Sequence, residues 1–258
     1  MKIAVCGKGG VGKTFIAGCL AWLFAQNGHR TLAIDADSSP NLGVMLGLGV
    51  KEAGDILPIS ENRELIESRT GTGYPGVYRL SFPVEDLISK YSVDTPSGVY
   101  LLVMGTIRSL GSGCMCQANA LVRTLLHHIM LKEGDYVIID MEAGIEHLGR
   151  GTARHVDLML VVTDANTRSL DIAGKIGFIA REYGISGIGL VGNRVSGRRQ
   201  EEIIAAFGAK TGFPVLECIP YDPKIEEAGV EGEVPMQHPA TPSVRAIDKL
   251  RQRIERMA

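Results

Sequence analysis

The sequence predicts an α/β protein, a three-layer α/β/α arrangement around a mostly parallel central sheet, and three observations carry that expectation. Short runs of β-branched and aliphatic residues recur along the chain: KIAVC, RTLAID, VYLLVM, DYVIID, DLMLVVTDA and GIGLVGN. Their near-continuous apolarity suits strands covered on both faces, as parallel sheets are. Helical patterns stand between several of them, the alternation that parallel strands require. The first run also passes directly into the glycine-rich turn GKGGVGKT.

That turn is the most informative stretch. Gly7, Gly9, Gly10 and Gly12 let backbone N–H groups converge on a polyphosphate at the start of a helix, where the helix dipole also favours negative charge. The pattern GxxxxGK[ST] puts Lys13 in reach of β and γ phosphates and Thr14 in reach of Mg2+. Gly9, Gly10, Val11, Gly12, Lys13, Thr14 and Phe15 are therefore expected to hold ATP or ADP. A glycine-rich surface turn is the plain alternative. Lys8 adds a second lysine, which on chemistry alone is a favourable charge beside phosphate.

Composition sets the outer bounds. The 258 residues suit one large α/β unit, and the chain is read as a single domain over 1–258 with an irregular insertion at about 47–98. Lys plus Arg number 27 against 29 Asp plus Glu, a formal charge of -2 that supplies no global field for nucleic acid or an anionic membrane. No apolar run approaches a spanning helix, and the N-terminus reads as a core strand without a signal layout, so a cytoplasmic protein is expected. Five cysteines argue against a disulfide framework. Cys6, Cys19 and Cys218 lie in predicted strands and helix and read as small core hydrophobes.

Further along, a helix is expected from Phe15 to Asn27, with Asn27-Gly28 as its stop. RTLAID delivers Asp35 and Asp37 to the C-terminal edge of a strand, where open parallel sheets bind ligands. A carboxylate there can position water and metal around a γ-phosphate, or it can cap the helix beginning near Asn41. DYVIID places Asp140 where a carboxylate approaches magnesium through water, with Gly144 as a hinge after it; capping a turn is the alternative for Asp140. The strand GIGLVGN ends in Asn193-Arg194, which on its own reads as a simple turn.

Cys114 and Cys116 form a CxC in a glycine-rich loop after the strand at 99–104 and ahead of a helix from about 117 to 131. In an extended loop, residues i and i+2 point the same way and two thiolates can share one ion. Two ligands do not complete a thiolate site, and a twofold axis through the ion would supply the other two, which implies a homodimer. By ligand chemistry alone, zinc, nickel or an iron-sulfur cluster fits. Two incidental cysteines or a redox pair remain as alternatives. The final stretch SVRAIDKLRQRIERMA carries Val244, Ile247, Leu250, Ile254 and Met257 on one stripe with arginines opposite, which reads as a helix packed on the sheet in preference to a membrane-binding one.

KGGVGKT with DADSSPNLG, DMEAG and GNR resembles the SIMIBI class of P-loop NTPases with a deviant Walker A motif, the family of the nitrogenase iron protein, MinD and ParA. The resemblance implies Mg-dependent ATP hydrolysis. It implies that Lys8 reaches the partner's nucleotide across a dimer, that Lys13 acts on the phosphates, and that Asp37 orients the attacking water or the magnesium shell. It assigns Asn193 and Arg194 to the base, and Pro220 and Asp222 of CIPYD to the adenine pocket. NRVS departs from the NKxD of guanine-specific proteins, so ATP is favoured. With the CxC, the resemblance narrows to the CooC type, accessory ATPases that assist nickel insertion into carbon monoxide dehydrogenase, which implies nickel as the ion and that enzyme as client. The competing family roles are an iron-sulfur electron donor, disfavoured because no cysteine follows Asp140 closely, and a MinD- or ParA-type positioning ATPase on membrane or DNA.

Overall fold

A computed structural model describes residues 1–72, 74, 79, 85–105, 121, 124–125, 132–142 and 156–258. Eight strands form one sheet in the spatial order β3-β4-β2-β5-β1-β6-β7-β8. They are β1 (Lys2–Gly7), β2 (Thr31–Ala36), β3 (Val93–Asp94), β4 (Tyr100–Val103), β5 (Tyr136–Met141), β6 (Leu158–Thr163), β7 (Ile188–Val195) and β8 (Val215–Pro220). Every pairing is parallel except that of β3 with β4 at one edge. The expected α/β/α class is therefore the observed one.

Alternation along β1 shows why its sequence is almost wholly apolar. Ala4 and Cys6 enter the core on one face, while Ile3 and Val5 enter the core on the other. A central parallel strand has no solvent side, so it has no polar positions to alternate with. The face with Ile3 and Val5 is covered by α1 (Lys13–Gln26), α2 (Leu42–Met45) and α9 (Pro242–Glu255). The opposite face is covered by α4 (Arg63–Thr70), α5 (Glu85–Tyr91) and α6 (Thr167–Glu182). Two further helices, α7 (Arg198–Thr211) and α8 (Pro223–Glu231), flank β8 in the chain.

Helix α1 matches its sequence signal closely. Ile16, Leu20, Leu23 and Phe24 are buried, Asn27 caps the end, and Gly28 follows in the left-handed region at φ 85°. Phe24 stacks on Tyr136 of β5 with ring centroids 3.8 Å apart, and the His29 ring stands edge-on to both. This fixes the far end of α1 against the sheet, so that its N-terminus is held at the opposite, C-terminal edge of β1.

The stretch 47–98 contributes α3 (Val50–Gly54), α4, α5 and the antiparallel edge strand β3. Leu48, Ile59, Leu65, Ile66 and Leu87 bring it into the core. The polar helix expected near Glu61 to Ser68 is α4, whose Asn62 side chain accepts from Leu65 N at 3.0 Å. Of the helix expected at 117–131, Leu121, Thr124 and Leu125 are helical and buried. Cys114, Cys116 and Gly144 lie outside the described residues.

The C-terminal helix α9 differs from its expectation in two side chains. Val244, Ile247, Leu250 and Ile254 are all buried, the last three in one core cluster with α1 and β8, as a sheet-packed helix requires. Met257 lies past the helix end and is 53% exposed. Arg251 is buried, because Asp248 and Glu255 on the same helix satisfy its guanidinium at 2.7 and 2.5 Å and let its stem cover apolar surface. Among the described residues no helix is long and apolar enough to cross a membrane. Leu250→Ala should remove a side chain with no exposed surface and lower the unfolding free energy by about 3 kcal/mol in urea titration. A loss below about 1 kcal/mol would show that α9 is not part of the core.

Candidate phosphate and magnesium site

The site is assembled at the C-terminal ends of four strands. β1 leads into the loop Gly7–Gly12, β2 leads to Asp37, β5 leads to Glu142, and β7 ends with Asn193 and Arg194 in its last turns. Gly9, Gly10, Gly12, Lys13, Thr14, Asp37, Glu142 and Arg194 line one cavity of about 390 Å³. Helix α1 begins at Lys13, and its first N–H groups have no intrahelical partner. A polyanion at this end gains both those donors and the positive end of the helix dipole.

Register places the carboxylates in two tiers. Asp35 of β2 pairs with Asp140 of β5, and both are buried. Two residues beyond each, Asp37 and Glu142 stand at the cavity. The Ser38 hydroxyl donates to Glu142 Oε1 at 2.9 Å and lies 3.3 Å from Asp37 Oδ1, so it joins the two strand exits. Asp37 Oδ1 also accepts from Ser39 N at 2.9 Å. Ser38 and Glu142 were not among the residues singled out in the sequence. The matching signal was the pair of motifs DAD and DME, two acidic residues at the same spacing on strands that turn out to be neighbours.

The lower tier is strongly desolvated. Burial pushes the Asp35 carboxyl up, opposed by N–H donors from Leu42 and Asp37 at 2.8 and 3.1 Å. Asp35 thus caps the start of α2, one of the two roles open to it from sequence. Burial pushes Asp140 up to about 7, and the Asp35 and Asp37 charges add to that, while a hydrogen bond from Thr14 and the charge of Lys13 oppose it. Asp140 Oδ1 has no hydrogen-bond partner.

A buried carboxylate oxygen without a partner, beside a hydroxyl and a second carboxylate, is a hard-oxygen donor set. Magnesium takes one or two carboxylates and completes its octahedron with waters and substrate phosphates. Thr14, Asp140 and Asp37 fit that requirement. Among the described residues, no group of three or more His, Cys, Asp and Glu side chains is arranged to hold an ion unaided.

The remaining expected site residues fall in different places. Lys13 is buried, with Nζ 3.5 Å from Lys8 O. Lys8 is half-buried and, with Val11 and Phe15, is not part of the cavity lining. Asn193 is buried and donates through Nδ2 to Val11 O at 2.7 Å, so its donor is turned to the loop. Arg194 lines the cavity and donates to Gly10 O at 3.2 Å. Pro220 pairs with Val195 at the end of β8. Asp222 is committed elsewhere: Oδ1 accepts from Lys224 N, and Oδ2 accepts from Ser243 N and Oγ, so it caps α8 and ties it to α9. Asp222 thus has a structural role in joining α8 to α9.

Comparison with known proteins turns this geometry into a family. A CobQ/CobB/MinD/ParA nucleotide binding domain model matches residues 2–236. The chain belongs to that family. It is 42% identical over 228 residues to an uncharacterized ATP-binding protein of Methanocaldococcus jannaschii, covering 87% of each chain. It is 42% identical over 234 residues to the carbon monoxide dehydrogenase accessory protein CooC of Rhodospirillum rubrum, covering 90% of this chain and 88% of that one. The fold is shared with the septum site-determining protein MinD complexed with Mg-ADP from Pyrococcus horikoshii, at TM-score 0.71 and 22% identity over 99% of this chain and 96% of that one. As a CobQ/CobB/MinD/ParA domain, the chain is a nucleotide-binding protein of the P-loop ATPase class.

Two outcomes are expected from this geometry. Asp222→Ala should lower the unfolding free energy by about 2 kcal/mol through the lost hydrogen bonds to α8 and α9, while ATP affinity by calorimetry stays within about twofold if the role is structural alone; a selective loss of ATP affinity would show that Asp222 serves the nucleotide. Burial pushes the Cys6 thiol up to about 12 and raises that of Cys19, so neither forms the reactive thiolate at mildly alkaline pH. Native-state labelling with a thiol reagent and mass spectrometry should leave both unmodified until denaturant is added, and rapid labelling of either would contradict their placement.

Proposed function

We propose that the chain is a magnesium-dependent ATPase that works as a homodimer in the cytoplasm and delivers nickel during maturation of carbon monoxide dehydrogenase. The observation that carries this reading is the 42% identity to CooC over 90% of the chain. The CxC of Cys114 and Cys116 agrees with it as a thiolate pair suited to a soft or borderline ion.

The residues divide the work by position. The first turn of α1 and the loop before it bind the phosphate chain, with Lys13 compensating charge on the β and γ groups. Thr14, Asp140 and Asp37 would hold Mg2+, which would supply positive charge to offset that developing on the phosphates. Asp37, at the cavity mouth, also orients the attacking water; hydrolysis here depends on positioning more than on covalent chemistry. Lys8 lies outside the cavity of its own chain, and its work is across the dimer on the partner's nucleotide.

Nickel is the cargo in this scheme, held by four sulfurs when Cys114 and Cys116 of two copies meet around a twofold axis. Closing and opening on ATP moves the ion only if the two dimer states bind it with different affinity. Zinc satisfies the same four thiolates and is the natural competitor.

The test is metal analysis with sedimentation, wild type against Cys114→Ser/Cys116→Ser, with and without ATP. Wild type is expected to hold about one nickel or zinc ion per dimer, and the variant to lose the ion while still binding ATP. Stoichiometric metal retained by the variant would refute the sulfur site, and a wild type that stays monomeric in every nucleotide state would refute the dimer.

A further inference from the structure

The pair Asn193-Arg194 has geometry that a base-contacting pair does not need. Both side chains donate to consecutive carbonyls of the phosphate loop, Asn193 to Val11 O at 2.7 Å and Arg194 to Gly10 O at 3.2 Å. Adjacent residues in a regular strand point to opposite faces of the sheet, so one of the two ought to point away. The strand is not regular there. Pairing of β7 with β8 steps from Gly192↔Cys218 to Val195↔Pro220, three residues on one strand against two on the other, which is a bulge of one extra residue. Arg194 sits in that bulge at φ 55°, the one described non-glycine residue with positive φ. A bulky residue held in the left-handed region is strained and persists only where its surroundings impose it.

The loop is fitted to the pair in return. A side chain on Gly12 would place its Cβ 2.3 Å from Asn193 Nδ2, and Gly12 has φ 91°. Gly12 is therefore required both by its backbone conformation and by the approach of Asn193. Asn193 is 4% exposed, so its amide contact is shielded from water. With their carbonyls held from the β7 side, the peptides that follow Gly10 and Val11 are fixed in orientation: the second carries the N–H of Gly12, which lines the cavity, and the first that of Val11, which donates to Lys8 O at 3.4 Å and closes the turn.

We propose that the bulge at Asn193-Arg194 is a positioning device for the phosphate loop, setting its N–H groups before any nucleotide arrives, so that the pair acts on affinity for the polyphosphate and not on choice of base. Pre-organised donors need no rearrangement when the anion binds, which is how fixed dipoles strengthen binding. This rests on the reading of the loop as an ATP site. It assigns the two residues an effect opposite to the one the family resemblance gives them.

The experiment compares wild type, Asn193→Ala, Arg194→Gly and Arg194→Lys for binding of inorganic tripolyphosphate, ATP and GTP by calorimetry, with thermal melts alongside. Arg194→Gly removes the side chain and relieves the positive φ, so it should remain folded even where Asn193→Ala does not. Asn193→Ala and Arg194→Gly are expected to weaken tripolyphosphate and ATP by a common factor of roughly 3–10, the worth of one hydrogen bond. The ratio of ATP to GTP affinity should stay at its wild-type value, and Arg194→Lys should recover part of the loss. Unchanged tripolyphosphate affinity in Arg194→Gly and Asn193→Ala, or a collapse of the ATP to GTP ratio, would overturn the proposal. Wild type that binds neither tripolyphosphate nor ATP would instead overturn the nucleotide-site reading beneath it.

Discussion

A carboxylate oxygen sealed from water without a hydrogen-bond partner is costly wherever it occurs, by about 1–3 kcal/mol and more when charged. In this chain that cost is met, among the described residues, at Asp140 Oδ1 as well as at Glu217 Oε2; Asp140 lies near the end of β5, four strands after β1 in the chain but directly beside it in the sheet. The pairing Val5↔Asp140 brings it under the phosphate loop, and Asp35↔Asp140 sets a second buried carboxylate at the same level. Parallel neighbours oblige this arrangement: β1, β2 and β5 exit at the same edge, so the acidic residues that close the apolar runs of β2 and β5 meet. A divalent cation reverses the balance by favouring the charged form that burial opposes.

The rest of the fold holds that edge in place. The Phe24–Tyr136 stack and the buried stripe of α9 fasten α1 at its far end and along its length. Its near end is then free to serve as the anion-binding terminus, backed by Asn193 and Arg194 from β7, the second strand over from β1. The Ser38 bridge to Glu142 connects the two segments that leave β2 and β5, and it does so at the cavity itself. Movement of either segment on loading or loss of a γ-phosphate would disturb the other through that hydroxyl.

What was legible in the sequence was what local pattern dictates. KIAVC, RTLAID and DYVIID had to be buried strands because their interiors IAV, LAI and YVII are apolar without a break, and GKGGVGKT had to be a turn into a helix. What was not legible depends on partners distant in the chain. The tie of Asp222 to Ser243 shows only when the two elements are brought together, and Arg251 reads as a solvent-facing arginine until Asp248 and Glu255 close on it. Glu142 acquires meaning only through the register of β5 with β2. The bulge in β7 has no sequence marker of its own, since the residue in the left-handed region is an arginine and not a glycine. The short helices of 47–98 carry too few turns to display a period.

The central claim is that Asp140 and Thr14 complete their chemistry only with a divalent ion delivered beside the phosphates. The most direct measurement is ATP affinity by calorimetry with Mg2+ and with EDTA, in wild type and in Asp140→Asn. The account expects wild type to bind ATP at least about tenfold more tightly with Mg2+, and the difference to vanish in the variant. Equal affinity with and without the ion in wild type, or a magnesium effect that survives Asp140→Asn intact, would contradict it.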